Sequence, residues 1–266
     1  MTDIQVLVLA IVQGLTEFLP ISSSGHLILA PHLFGFNDQG LSFDVAVHLG
    51  SLLAVLSYFR LDVLSIARGW IDASLLGQPA NQQSRLGWAI IIGTVPVVLF
   101  GLLLKTIVET DLRAPWIIAA ASIGFGLLLG VVDSRARRTR SIETVTLRDA
   151  LLIGIAQVLA LIPGTSRSGI TMTAGLALGF DRQSAARFSF LLAIPTILAS
   201  STLVTVDLIE QAAAVDWRAL GLGVALSAIS AYLAIFLFLR VIERIGMWPF
   251  VAYRVLLGAL ILWLVY

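Results

Sequence analysis

Cysteine is absent from this sequence, which excludes disulfides, thiolate metal sites and a thiol nucleophile. Charge is scarce, with only 12% of residues charged against 58% hydrophobic, and the mean hydropathy of +0.97 lies outside the range of soluble domains. Lysine occurs once, at Lys105, without Gly-x-x-x-x-Gly-Lys-Ser/Thr around it, so a P-loop is excluded. Three scattered histidines and no His-Glu-x-x-His argue against a zinc site. The start, Met1-Thr2-Asp3, lacks a basic n-region, so no cleaved signal peptide is expected. No nucleic-acid partner is expected either.

What the sequence has instead is long, continuous apolar runs. Backbone in hydrocarbon must pair its own N–H and C=O groups, and runs that do not alternate favour helices over a β-barrel. Spans of near the roughly 20 residues needed to cross a bilayer are expected at 41–59, 88–104, 115–132, 185–206, 218–238 and 248–266. Two further apolar stretches, 4–20 and 147–163, run into Pro20-Ile21-Ser22-Ser23-Ser24-Gly25 and Pro163-Gly164-Thr165-Ser166-Arg167-Ser168-Gly169. Proline and glycine break a helix at each place, and a shorter helical stretch follows. The expected fold is therefore all-α and integral to the membrane, with about six full transmembrane helices and two re-entrant helical hairpins.

The two halves resemble each other. At an offset of 144, Gln13 falls on Gln157, Ser22 on Ser166 and Gly25 on Gly169, and Phe43–Ala54 lies over Phe188–Ala199 after a slip of one residue. This weak internal repeat divides one membrane domain into a first repeat over 1–132, a connector over 133–148 and a second repeat over 149–266, of the inverted kind known in membrane transport folds. The loop expected from Arg60 to Arg85, with Arg68, and the connector with Arg135, Arg137, Arg138, Arg140 and Arg148 belong on the cytoplasmic side by the positive-inside rule. Both chain ends then lie outside, and the hairpin tips enter from opposite sides.

The tips carry the chemistry. Gln13 and Glu17, four residues apart, share a helical face, and a carboxylate at membrane depth, at about 2.5–3.5 kcal/mol on insertion scales, calls for a partner or a task. Ser22, Ser23, Ser24 and Gly25 offer hydroxyls and N–H groups at a helix start, where phosphate oxygens bind; a flexible turn would use the same residues. His26 is the nearby group that can carry a proton near neutral pH, whereas His32 and His48 lack such company and read as structural or interfacial. Arg167, flanked by Thr165, Ser166 and Ser168, needs an anion, and its fork matches phosphate. An Arg167–Glu17 ion pair that only locks the hairpins is the plainer reading, and the same pair can hold an empty site and part for a substrate. A second lipid-phosphatase pattern requires a histidine six positions after the arginine of its Ser-Arg element; Thr173 stands there.

At Gln13-x-x-x-Glu17, Phe18–His26 and Pro163–Gly169, with Phe188–Pro195 in support, the sequence resembles the undecaprenyl-diphosphate phosphatase family, also called the bacitracin-resistance protein family. The resemblance covers essentially the whole chain. It implies a multi-pass enzyme of the bacterial plasma (inner) membrane that hydrolyses a C55 polyprenyl diphosphate to the monophosphate, recycling the lipid carrier of peptidoglycan synthesis, with a site reached from the outer face. It also implies resistance to an antibiotic that sequesters the lipid diphosphate, and a divalent cation, Mg²⁺ or Ca²⁺, held by Glu17 with Gln13. Family members carry Glu or Gln at the first of these positions; Gln13 weakens any mechanism needing two carboxylates. By the same resemblance Arg167 neutralises the transferring phosphoryl group, and Ser23, ahead of Ser22 or Ser24, attacks phosphorus or positions water while His26 or Glu17 moves the proton. Ser22, Ser24, Gly25, Thr165, Ser166, Ser168 and Gly169 would bind substrate. The rival is a transporter or flippase of a polyprenyl phosphate on the same inverted-repeat fold; a non-catalytic scaffold is a third reading. A homodimer stays open.

Overall fold

The computed structural model describes residues 1–266 except 24, 28–34, 37–39, 113, 211–215 and 266. Among the described residues there is no strand, only an isolated bridge between Arg140 and Phe180. The chain is helical from α1 (Asp3–Phe18), which Thr2 caps by accepting from Gln5 N–H. It ends where Leu19 takes an extended conformation, as the residue before a proline tends to. Beyond the first tip, Ser23 and residues 25–27 are again helical. There follow α2 (Leu41–Tyr58), α3 (Arg60–Ser74), α4 (Gln82–Leu103), the short α5 (Lys105–Thr110) and α6 (Pro115–Arg135). The second half contains α7 (Leu147–Val158), α8 (Arg167–Ala177), α9 (Arg182–Glu210), α10 (Trp217–Ile245) and α11 (Trp248–Val265).

Among the described residues five helices, α4, α6, α9, α10 and α11, are long and apolar enough to cross a membrane, and α2 with α3 makes a sixth candidate bent by 79°. This is a multi-pass, all-helical membrane protein. Apolar side chains such as Leu99, Leu128, Leu237, Leu256 and Trp263 are exposed on its outside, as a lipid-facing surface requires. The stretch 60–85, read from its charges as a loop, is largely the helix α3. Val63, Ile66, Trp70 and Ala73 form an inward stripe at helical spacing, which Arg60, Asp62, Arg68 and Asp72 hide in a count of charges.

By contrast α1 and α7, of 16 and 12 residues, are only about 24 and 18 Å long, short of the roughly 30 Å hydrocarbon core. Each runs into its broken tip. α1 and α2 pack on α10, α7 and α9 pack on α4, α9 also packs on α2, and α6 pairs with α11. Ser22 (φ 72°) and Ser166 (φ 68°), which the repeat superimposes, are two of the three non-glycine residues with positive φ among those described.

Glycine makes the short helices fit. A Cβ on Gly154 would stand 2.4 Å from Gly93 O, and one on Gly14 2.5 Å from Ser227 O, so α7 meets α4 and α1 meets α10 backbone to backbone. Gly154→Ala is therefore expected to destabilise by about 1–3 kcal/mol, lowering the unfolding midpoint by several degrees in a thermal melt of the detergent-solubilised protein. Gly124→Ala, whose Cβ would meet nothing within 4 Å, is the control that leaves the midpoint unchanged.

Beneath the tips lies an aromatic core. Phe18 packs edge-on against Phe190 at 5.3 Å, Phe190 meets Phe59 and Phe238, and Phe238 meets Phe250. Phe18 precedes the first tip and follows Glu17 directly, so this cluster anchors the carboxylate-bearing end of α1.

Candidate active site

The two tips meet. Arg167, the first residue of α8, donates from Nη2 to Glu17 Oε1 at 3.0 Å and from Nη1 to Ser189 O at 3.1 Å. Its guanidinium lies 5.8 Å from the Phe18 ring centre, within cation–π range. Ser168 Oγ donates to Leu19 O at 2.8 Å, a second bond from tip to tip. The Glu17 and Arg167 side chains are 8% and 12% exposed, so this is a largely desolvated pair.

The other carboxylate oxygen, Glu17 Oε2, gathers the rest of the first tip. Gln13 Nε2 donates to it at 2.9 Å and Ser23 Oγ at 3.1 Å. Gln13 is wholly buried, and its Oε1 has no partner among the described residues. The i, i+4 spacing on α1 thus does what the sequence suggested, placing Gln13 and Glu17 on one face.

The second tip is shaped by its backbone. Gly164 (φ 94°) and Ser166 (φ 68°) take left-handed conformations; a Cβ on Gly164 would in addition fall 2.3 Å from Ile118 O. The turn brings Ser166 Oγ onto the Gly169 N–H at 3.1 Å, capping α8, and 3.2 Å from Ser168 Oγ. Thr165 is completely buried, and its Oγ1 has no partner among the described residues.

Of the residues expected at the site, Gln13, Glu17, Ser23 and Arg167 form one hydrogen-bonded cluster, with Ser168 bonded to Leu19 O and to Ser166 beside it at the start of α8. Ser22 is buried one residue before Ser23, and a Cβ on Gly25 would lie 3.7 Å from Ser22 Oγ. Ser24 and His32 lie outside the described residues. His26 is engaged elsewhere: Nδ1 donates to Ser22 O at 2.7 Å, Nε2 accepts from Tyr253 OH at 2.6 Å, and the two rings stack. Tyr253, on α11, has no sequence signal linking it to the tips.

Two residues that the sequence reading passed over belong here. His48 on α2, set aside as structural or interfacial, has Nε2 at 3.8 Å from Glu17 Oε2. Its signal was a polar stripe of Asp44, His48 and Ser51 at helical spacing in an apolar helix. Arg254 on α11 is fully buried. It donates to Ser122 O and Ala121 O on α6 and to Gly164 O and Thr165 O of the second tip, while Nη1 has no partner among the described residues. The rule that flagged Arg167, a guanidinium in an apolar helix, applies equally to Arg254.

The family model described as bacitracin resistance protein BacA matches residues 6–260. The chain belongs to that family. It is 60% identical over 262 residues to undecaprenyl-diphosphatase 2 of Stutzerimonas stutzeri, covering 97% of each chain. It is also 55% identical over 264 residues to the undecaprenyl-diphosphatase of Nitrosococcus oceani, covering 99% of each, and 54% identical over 266 residues to that of Alteromonas mediterranea, covering 100% of each. The motifs that carried the resemblance, Gln13–His26 and Pro163–Gly169, are the two segments that form the site.

Proposed function

We propose that this protein hydrolyses undecaprenyl diphosphate to the monophosphate and inorganic phosphate. One observation carries the reading: Glu17 and Arg167, 150 residues apart in sequence, meet at 3.0 Å in a desolvated place where the Ser23 and Ser168 hydroxyls and the first turn of α8 converge. Near-full-length relatives named undecaprenyl-diphosphatase support it.

Without substrate, Glu17 compensates the Arg167 charge. A diphosphate brings its own negative oxygens, which take the guanidinium fork and release the carboxylate for the attacking oxygen. Ser23 Oγ, already bonded to Glu17 Oε2, is the hydroxyl placed to attack phosphorus or position water, with its proton passing to that carboxylate. The bond between the distal phosphorus and the bridging oxygen breaks. The bridging oxygen leaves with the lipid monophosphate, and water's oxygen ends on the inorganic phosphate. Arg167, held from two sides, meets the charge that spreads over the phosphoryl oxygens.

A divalent cation, Mg²⁺ or Ca²⁺, belongs to this reading. The residues fit it as a half-site: Glu17 Oε2 and the unpartnered, buried Gln13 Oε1 are hard oxygen donors, and phosphate oxygens complete such a sphere. When bound, the cation supplies charge neutralisation on the diphosphate. We place the protein in a bacterial plasma membrane, with both chain ends outside, the second repeat inverted relative to the first and the site open to the outer face. The basic residues of the connector and the exchange of packing partners between the halves support that arrangement.

The test is phosphate release from a polyprenyl diphosphate by the purified protein in detergent, with and without EDTA. Release that EDTA abolishes, and that Glu17→Ala lacks in both conditions, is the expected result. No release from any polyprenyl diphosphate by folded protein would overturn the enzyme reading and favour a lipid carrier.

A further inference from the structure

We infer that Tyr253 is a positioning residue for the hydrolysis proposed above: acting through His26, its hydroxyl holds the first tip in register with the second and so fixes where Ser23 stands against Arg167. The inference rests on the phosphatase reading, since without hydrolysis there is no attacking group to place.

Helix α11 takes hold of both tips at neighbouring residues. Arg254 donates to the carbonyl oxygens of Gly164 and Thr165 in the second tip. Tyr253 OH lies 2.6 Å from His26 Nε2 in the first. One turn further along α11, Leu257 stands against Gly25, where an added Cβ would meet its Cδ2 at 3.5 Å. A single helix thus touches both broken segments, and their register is set on it.

His26 passes the hold on to the backbone. Its Nδ1 lies 2.7 Å from Ser22 O, and a carbonyl oxygen only accepts, so that ring nitrogen donates. A tyrosine hydroxyl both donates and accepts. The bond at Nε2 therefore forms whether or not the ring carries a second hydrogen, and the strut from Tyr253 OH to Ser22 O is the same in either charge state. The two rings lie within 8° of parallel with centres 5.5 Å apart, which sets the imidazole plane.

Ser22 O belongs to the peptide that joins Ser22 to Ser23, and Ser23 Oγ reaches Glu17 Oε2 at 3.1 Å. From Tyr253 to the residue placed to attack there are thus two hydrogen bonds and one peptide. That peptide needs holding, because Ser22 has φ 72°, a left-handed conformation unfavourable for a residue with a Cβ.

The fold itself does not need the hydroxyl. Tyr253 is 43% exposed and His26 half-buried, so removing the bond strands no polar group in a dry interior. A tyrosine at a membrane rim commonly anchors the helix with its hydroxyl among headgroups; here the hydroxyl is turned to a histidine of the tip.

The experiment uses the full chain in detergent with a polyprenyl diphosphate and compares Tyr253→Phe, which keeps the ring, with the wild type. Turnover is expected to fall about ten- to a hundredfold, the scale on which a misplacement of about 1 Å acts. KM should change less than about twofold, since no group that binds substrate is removed, and the unfolding midpoint should stay the same. In His26→Ala, followed by single turnover, adding Tyr253→Phe is expected to change the rate less than about twofold, because a hydroxyl that acts through the imidazole has nothing left to act on. Tyr232→Phe, which removes a hydroxyl beside Tyr58 on α10, is expected to leave turnover unchanged. Labelling histidine with ¹⁵N gives a readout independent of turnover. Of the three imidazoles, only the one whose resonances disappear in His26→Ala is expected to shift in Tyr253→Phe. Wild-type turnover in Tyr253→Phe, a loss carried by KM alone, equal losses with and without His26, or unshifted resonances each overturn the inference. Where His26→Ala releases no measurable phosphate, the fall in kcat and the resonances decide. Each failure leaves the phosphatase reading standing as long as the wild type releases phosphate; no release by folded wild type defeats that reading, and this inference with it, whatever the resonances show.

Discussion

Arg167→Ala is expected to lower turnover of a polyprenyl diphosphate about a thousandfold, the scale on which an arginine that meets phosphoryl charge contributes. The guanidinium is oriented by Ser189 O, Glu17 Oε1 and the Phe18 face together, and a desolvated, prepaid orientation is what gives such a group its weight. Lysine carries the charge but not the planar fork, so Arg167→Lys is expected to recover only a small part of the loss. The rival explanation, that the pair merely locks the two tips together, makes a different prediction. Removing one partner of a buried pair destabilises by about 3–5 kcal/mol, whereas a neutral pair of similar volume is nearly as stable as the original. The double variant Glu17→Gln with Arg167→Met should therefore fold and melt close to wild type. If the pair is only a lock, that variant retains phosphate release; the expected result is a folded, inactive protein. Steady-state kinetics on material matched for folded fraction by thermal melts separates the two.

The largest effect on stability is expected at Arg254. Four backbone carbonyls, Ala121 and Ser122 on α6 and Gly164 and Thr165 at the second tip, accept from one side chain, and Ser122 Oγ donates back to Arg254 O at 3.2 Å. Gly126 makes room for it: a Cβ there would lie 3.2 Å from Arg254 Nε. Truncation to alanine leaves those acceptors in a dry interior along with a side-chain-sized void, a loss of about 3–5 kcal/mol. At about 2–4 °C per kcal/mol for a domain of this size, the unfolding midpoint of Arg254→Ala should fall by about ten degrees. Activity should fall with it, because the carbonyls of Gly164 and Thr165 belong to the left-handed turn that aims Arg167. A midpoint within two or three degrees of wild type would show that the clamp on the tip carries little weight.

Much of this was legible in the chain because it is local. Hydropathy over some twenty residues marks a membrane helix wherever it ends up, and Pro20 and Pro163-Gly164 interrupt a helix whatever surrounds them. The pairing of Gln13 with Glu17 follows from 3.6 residues per turn. The match of Ser22 with Ser166 pointed to the repeat, and both residues have positive φ. Helix α3 is hidden in the sequence for an equally local reason: its four charges, Arg60, Asp62, Arg68 and Asp72, are as many as the four inward positions that define it.

What only the tertiary structure decided is which polar groups face one another across the packed helices. His26 was expected to carry a proton at the tips; its Nε2 is bonded to Tyr253, 227 residues away, while His48 Nε2 lies 3.8 Å from Glu17 Oε2. The sequence neighbours of the two histidines do not decide this, since the outcome depends on the rotation of α2 against α1 and on where α11 crosses the first tip. Arg254 likewise shows its role only once α11 lies against α6 and the second tip. The amino-acid sequence by itself determined a helical membrane protein with two broken polar tips, because those properties arise within single segments. The meeting of the tips, and the choice of His48 and Arg254 as their company, came from packing, because buried charge and lone pairs must be satisfied by whatever the folded chain brings within about 3–4 Å.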